Sequence, residues 1–253
     1  MSDSTAAGGG DPAIAISIGA VVKRSFAIFF ANLIPFGVLA LILLLPNLFF
    51  NFALLSPVGV GVSGVQIFLY LAVYLVLYYL LMGTLVYGTV AQMRGQPAGM
   101  GLIVSRGLAS LLPLVVIAVA TVVATLIGFM LLIVPGIFLI VVLSVTIPAY
   151  VVERPGIVNS FKRSMELTKG NRWRVLGVLA VLVVIFAVVG FVVSFVTNIL
   201  AAIGLGLTLG VIANYVVSAL TTAVGAVAAA VLYHDLRIAK EGVSTDQIAA
   251  VFD

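Results

Sequence analysis

From Leu111 to Val152 the chain runs 42 residues without a charged side chain, and the next 22, Glu153 to Arg174, hold six Lys/Arg and two Glu. Wound as one helix, the uncharged stretch would reach roughly 60 Å, about twice the hydrocarbon thickness of a bilayer. The chain must therefore turn inside it. Pro135-Gly136 is the expected turn, because proline cannot continue a helical hydrogen-bond ladder and glycine accepts turn backbone angles. The pattern predicts spans at 112–133 and 137–152, followed by a basic interfacial helix at 157–170.

The remaining apolar runs extend the pattern in both directions. Residues 1–13 are small and polar, with too little apolar surface to order themselves, and are expected to be a disordered tail. Over 14–32, Ile18, Val22, Phe26 and Phe29 recur at helical steps while Ser17, Lys23 and Arg24 fall mostly elsewhere, which predicts a helix lying in the membrane interface. Spans are predicted at 34–54, opened by Pro35, and at 66–90, joined by a link of Pro, Gly, Val and Ser. Gln92 to Ala109, with Arg94 and Arg106, returns polar groups and is expected to be a third surface segment before Pro113 opens span three. Spans five and six are predicted at 175–201 and 211–233, around a charge-free turn at 204–210. The tail at 242–253 carries a capping-box pattern at Ser244 and Gln247 and a short apolar stripe of Ile248, Val251 and Phe252. The expected fold is all-α and integral to the membrane: one six-helix domain over 14–241, with interfacial amphipathic helices preceding spans 1, 3 and 5.

Composition agrees. The chain is 64% hydrophobic and only 8% charged, against roughly 25% charged in a soluble domain. In the six-span arrangement all twelve Lys/Arg and all eight Asp/Glu fall on one side, and the positive-inside rule makes that side cytoplasmic, with both termini. Nothing resembles a nucleic-acid groove. The sequence has no cysteine, hence no disulfide framework and no thiolate chemistry. The first 22 residues contain Asp3 and Asp11 but no Lys or Arg, unlike a cleavable signal.

An internal echo runs through these surface segments. Lys23-Arg24-Ser25 precedes Asn32 and a span, and Lys162-Arg163-Ser164 precedes Asn171 and a span at the same spacing, with Val104-Ser105-Arg106 before Pro113 a weaker third version. Three units of surface helix plus hairpin would account for six spans.

The candidate contact residues lie in the basic segment. Lys162, Arg163, Lys169, Arg172 and Arg174 against Glu166 give a net charge of +4 over thirteen residues, a density that attracts anionic headgroups or serves as a topology anchor. Ile157, Val158, Phe161 and Met165 share one helical face, Lys162 and Glu166 are spaced for an i,i+4 pair, and Trp173 is placed for the headgroup level. A second candidate is the face of Ser194 and Asn198 on span five with Asn214 and Ser218 on span six. The antiparallel arrangement sets Asn198 near Asn214 and Ser194 near Ser218 in depth, either as helix packing or as a polar lining for a solute. Tyr70, Tyr74 and Tyr78 form a stripe expected to pack against neighbours or lipid, the alternative being a row of phenols that orders a ligand or lipid headgroup. His234, Asp235 and Arg237 sit at the exit of span six, where Asp235 is expected to pair with Arg237 or with an Arg of another loop. The chain shows no mid-membrane ionisable group of the kind that serves ion-coupled transport, no phosphate-cradling glycine loop and no HExxH pattern.

The run VPGIFLIVVLSVTIPAYVVERPGIVNSFKRSMELTKGNRWRVLGVL, together with YHDLRIAKEG, resembles the membrane domain of bacterial glycerophosphoryl diester phosphodiesterases and related six-span inner-membrane families. The resemblance implies the six-span fold and the bacterial inner membrane. In the diesterases the chemistry belongs to a separate soluble barrel that these residues do not encode, so no catalytic residue or cofactor is carried over. The expected function is a non-enzymatic, lipid- or protein-interacting membrane component whose partners are anionic headgroups at the cytoplasmic face and other membrane proteins. The alternative is a carrier or flippase-like transporter of a neutral or lipidic solute between spans five and six.

Overall fold

The computed structural model of the protein describes residues 16–55, 63–95, 99–202, 204 and 206–242. The expected N-terminal tail, most of the link after residue 55, and the capping box and apolar stripe near the C-terminus lie outside the described residues. Among the described residues the chain forms ten helices: α1 (Ile18–Ala31), α2 (Leu33–Leu43), α3 (Leu45–Leu55), α4 (Gly64–Met93), α5 (Met100–Leu131), α6 (Ile133–Leu143), α7 (Thr146–Glu153), α8 (Ile157–Thr168), α9 (Arg172–Ala202) and α10 (Leu207–Glu241). Five helical stretches are long and apolar enough to cross a membrane: α4, α5, α6 with α7, α9 and α10. A sixth is reached when α1 and α2, which meet at 86°, count as one bent pair.

Proline explains four of the nine breaks between these helices. Pro35, Pro46, Pro135 and Pro148 are the third, second, third and third residues of α2, α3, α6 and α7. The first turn of a helix has no use for the missing N–H, so proline is tolerated there, while its ring crowds the carbonyl four residues back and closes the preceding helix. Two expectations are corrected by this. The predicted span 34–54 is two helices of 11 residues each, separated at Leu44. One such helix is roughly 16 Å long, about half the hydrocarbon thickness. The break frees the carbonyl of Leu41, and the Tyr215 hydroxyl of α10 donates a hydrogen bond to it.

The turn of the uncharged hairpin also moves. Pro135-Gly136 lies inside the first turn of α6, and the reversal falls on Leu132, whose backbone is extended at φ −168° and ψ 161°. Gly136 serves a close crossing rather than a turn. A Cβ on Gly128 of α5 would come within 3.0 Å of the Gly136 Cα, and a Cβ on Gly136 within 2.5 Å of the Phe129 ring. Small residues let membrane helices approach backbone to backbone, and here they bring α5 and α6 together directly below a one-residue turn.

Pro113 is the exception, since α5 runs through it for 32 residues. The surface segment expected before span three is therefore no separate helix but the first turns of α5. Packing against α4 explains the continuity: Leu114 fills the space at Gly83, and a Cβ on Gly107 would fall 2.2 Å from Thr84 Oγ1. The neighbouring helix holds both flanks of the proline in line.

The core is organised around α10. Of its membrane-length window 56% is buried, whereas the other four candidate spans stay between 17% and 39%. Ala219, Ala223, Val227 and Ala230 line its buried side, and α1, α2, α3, α4, α7, α8 and α9 all touch it. The Tyr70, Tyr74 and Tyr78 stripe of α4 faces α3, where Phe50 stacks on Tyr70 at 3.8 Å between centroids. It is packing, as expected of it.

Candidate functional site

The basic segment begins after two residues with left-handed backbone, Arg154 at φ 51° and Gly156 at φ 91°, and α8 ends before Gly170 at φ 93°. These turns set α8 across the ends of its neighbours: it touches α5, α6, α7 and α10. The side it buries is a stripe of hydroxyls, Ser160, Ser164 and Thr168, with Leu167. Each hydroxyl is satisfied locally or across the contact, Ser160 by the Gly156 carbonyl, Thr168 by that of Ser164, and Ser164 by the Val142 carbonyl of α6 at 2.7 Å. The apolar residues flank that stripe instead of filling it. Val158 is 66% and Met165 41% exposed, with Phe161 half-buried between them. Beyond them lie Lys162 and Glu166, both exposed and not paired with each other among the described ion pairs. Across its surface α8 thus passes from a docked polar stripe to an outward apolar flank to a charged edge.

Arg163 departs from the expected lipid-facing role. Its Nε donates to both carboxylate oxygens of Glu153 at 3.0 and 2.8 Å, and its Nη2 donates to Glu241 of α10. Tyr233 donates its hydroxyl to Glu153 at 2.7 Å, and Arg237 reaches Glu241 at 2.7 Å. Arg163 is thus the centre of a junction that fastens α7, α8 and α10. Sequence reasoning classed it with the free lysines because nothing in the spacing shows which carboxylates the fold delivers. Arg24 of α1 plays the matching part, bound to Asp235 of α10 at 2.7 Å. Asp235 thereby takes the second of its two expected partners, an Arg of another loop. The echoed positions share more than spacing: Ser25 and Ser164 are both fully buried, and Asn32 and Asn171 each stand immediately before the next helix, α2 and α9. Arg106, the third version, forms no ion pair among the described residues.

Burial by itself raises the Glu241 carboxyl, and hydrogen bonds from Arg163 and Arg237 outweigh it, so the group is held below its ordinary value of 4.5. The contact therefore contributes stability above that value and loses it as falling pH protonates the carboxylate through its depressed pKa. In detergent, the melting temperature is expected to fall as the pH is taken down through and below 4.5, and to fall less in Glu241→Gln, which starts lower at neutral pH. Equal acid sensitivity in the two proteins would remove Glu241 from this account.

Arg172 opens α9 and turns the other way. Its guanidinium lies 4.9 Å from the centre of the Phe138 ring of α6, a cation–π contact worth about 0.5–2 kcal/mol. Its Nε is buried and has no hydrogen-bond partner among the described residues, an omission that costs roughly 1–3 kcal/mol. The guanidinium sits on a groove of about 340 Å³ between α6 and α9, walled by Val134, Ile137, Phe138, Val141, Trp173 and Leu176. Trp173 is 85% exposed beside it. Lys169 and Arg174 are exposed, with Arg174 donating to Asn171 Oδ1 at 3.1 Å.

The second candidate face comes together differently from expectation. Ser194 donates to Asn214 at 3.2 Å, one helical turn away from the expected Ser194–Ser218 level. Asn198 and Asn214 donate their amides to carbonyls of their own helices, Ser194 and Gly210. Asn198 of α9 is exposed, and so are Asn214 and Ser218, because the buried side of α10 is its alanine stripe. A further cavity of about 170 Å³ lies between α9 and α10, lined by Leu182, Phe186, Gly225 and Ala229, and it is apolar. His234 Nδ1 lies 3.4 Å from Asp235, and among the described residues no group of three His, Cys, Asp or Glu is placed to hold a metal ion.

An all-helical bundle with five or six membrane-length apolar helices and its ion pairs gathered between α1, α7, α8 and α10 defines a polytopic membrane protein. The family model described as domain of unknown function DUF7847 matches residues 60–236, and the chain belongs to that family. No curated protein and no solved structure matches the chain.

Proposed function

We infer that the chain is a non-enzymatic, six-span component of the bacterial inner membrane, with both termini cytoplasmic, that acts by contact with anionic lipid. In this reading α2 and α3 together make the first crossing. The observation that supports it best is the orientation of α8, which docks through hydroxyls and leaves Val158 and Met165 outward beside Lys162, with Phe161 half-buried between them. A helix built to finish a soluble core buries its apolar stripe, whereas one lying at a headgroup boundary presents that stripe with cations at its edge. The likeness to the diesterase membrane domain belongs to the same proposal, and so does the contact with other membrane proteins. The carrier reading gains no comparable support, since the amides of Asn198 and Asn214 turn back onto their own helices.

Each exposed cation near an anionic surface contributes about 1 kcal/mol at low salt. Changing Lys162, Lys169 and Arg174 together to Gln is expected to weaken binding of the detergent-purified protein to phosphatidylglycerol-containing micelles by about 100-fold, an effect that shrinks as salt rises. Micelle association unchanged by the triple substitution would refute the reading. Arg163 is left in place in this variant because it holds the junction.

A further inference from the structure

We propose that the groove between α6 and the first turns of α9 is a discrete site for one anionic phospholipid, its phosphate on Arg172 and an acyl chain along Val134, Ile137, Val141 and Leu176. The proposal rests on the lipid-contact reading above for its class of ligand, but it differs in kind, since it is one molecule in one groove rather than a diffuse attraction to a surface.

Three observations converge. The groove is apolar along its length, with Val134, Ile137, Val141 and Leu176 as walls and about 340 Å³ of space, the chemistry of a hydrocarbon chain. Its charged group is Arg172, held by the Phe138 ring 4.9 Å away, with a buried Nε that has no partner among the described residues. Among the described residues no acid pairs with it: Glu153 is engaged with Arg163 and Tyr233, Glu241 with Arg163 and Arg237, Asp235 with Arg24, and Glu166 of α8 forms no ion pair. A guanidinium with no ion-pair partner among the described residues, set beside an apolar trough, suits an anion attached to a chain, because the guanidinium fork matches phosphate oxygens. Trp173, 85% exposed at the same mouth, places an indole where headgroups lie. The lining is open on one side, with Val134 75% and Phe138 46% exposed, so a lipid enters laterally without any helix moving.

The test is native mass spectrometry of the full chain in detergent, titrated with phosphatidylglycerol and with phosphatidylcholine of matched acyl chains. Wild type is expected to hold a single phosphatidylglycerol preferentially. Arg172→Gln, which removes the cation, and Ile137→Trp, which fills the groove without touching charge, are each expected to weaken that adduct by at least about tenfold. Ile137 is 38% exposed, so the larger ring can be accommodated, and matching elution and helical circular dichroism confirm the fold. Arg172→Lys is expected to keep the adduct in part, as a point charge in place of a fork. The Lys162, Lys169, Arg174 triple variant is expected to keep it as well. Retention of the adduct in both Arg172→Gln and Ile137→Trp overturns the proposal, and if the triple variant alone loses lipid, the diffuse surface reading stands without it. If wild type does not distinguish the two lipids, both readings fall. A lipid-free dimer would put a second copy of the chain in the groove and overturn the proposal too.

Discussion

Gly128→Val is expected to destabilise the folded protein by about 3 kcal/mol and to pull α6 away from α5. The added Cβ would stand 3.0 Å from the Gly136 Cα, 3.2 Å from its nitrogen and 2.8 Å from a Leu139 methyl. Leu139 can rotate, but the Gly136 backbone cannot, because the hairpin reverses only four residues before it at Leu132 and leaves no slack. Thermal unfolding in mild detergent reads the loss. Gly101, inside the first turn of α5, where an added Cβ meets nothing within 4 Å, is the control: Gly101→Ala is expected not to lower stability, since alanine is the better helix former. A Gly128→Val protein as stable as wild type would mean the two helices do not cross where they are described.

Arg163→Ala has the second large effect, a loss of about 2 kcal/mol. The truncation leaves Glu153 with only the Tyr233 hydroxyl and Glu241 with only Arg237, at side-chain exposures of 20% and 38% that rule out a fully buried penalty. Lys162→Ala, one residue away on the exposed edge, is expected to fall within about 0.5 kcal/mol of wild type. Limited proteolysis distinguishes the two further, since releasing Glu241 from Arg163 frees the end of α10 and exposes it to cleavage. Equal behaviour of the two variants would return Arg163 to the surface role the sequence suggested.

The contrast between these neighbours shows what the sequence could carry. Hydropathy placed nearly every apolar helix, because in lipid each helix must satisfy its own backbone and announces itself by length alone. Charge density and the spacing of Ile157, Val158, Phe161 and Met165 located α8 and its basic character. Hydropathy misjudged where the chain reverses, since Pro135-Gly136 reads as a turn unless one knows that Gly128 lies opposite. It expected one helix where Pro46 splits two, although the position of a proline relative to a helix start was there to be weighed. Arg163 and Lys162 are indistinguishable in a string, because the acids that select one of them come from residues 10 and 78 positions away. The groove at Arg172 was invisible for a related reason: Phe138 and Arg172 meet only after the intervening basic segment has folded across. One missed feature did leave a trace. Ala219, Ala223, Ala226 and Ala230 recur at helical steps along α10, and that small-residue stripe marks the helix that others surround.

That arrangement governs the order of assembly. The scaffold on which α1, α2, α4 and α9 rest is translated after all of them, so the earlier segments enter the bilayer without their common support. The α4–α5 and α5–α6 crossings at Gly83, Gly107 and Gly128 can form without it, whereas α1, α2 and α9 must wait until the alanine-lined helix arrives between them. Nascent chains arrested before α10 emerges should accordingly be the species that membrane proteases and insertion chaperones hold longest.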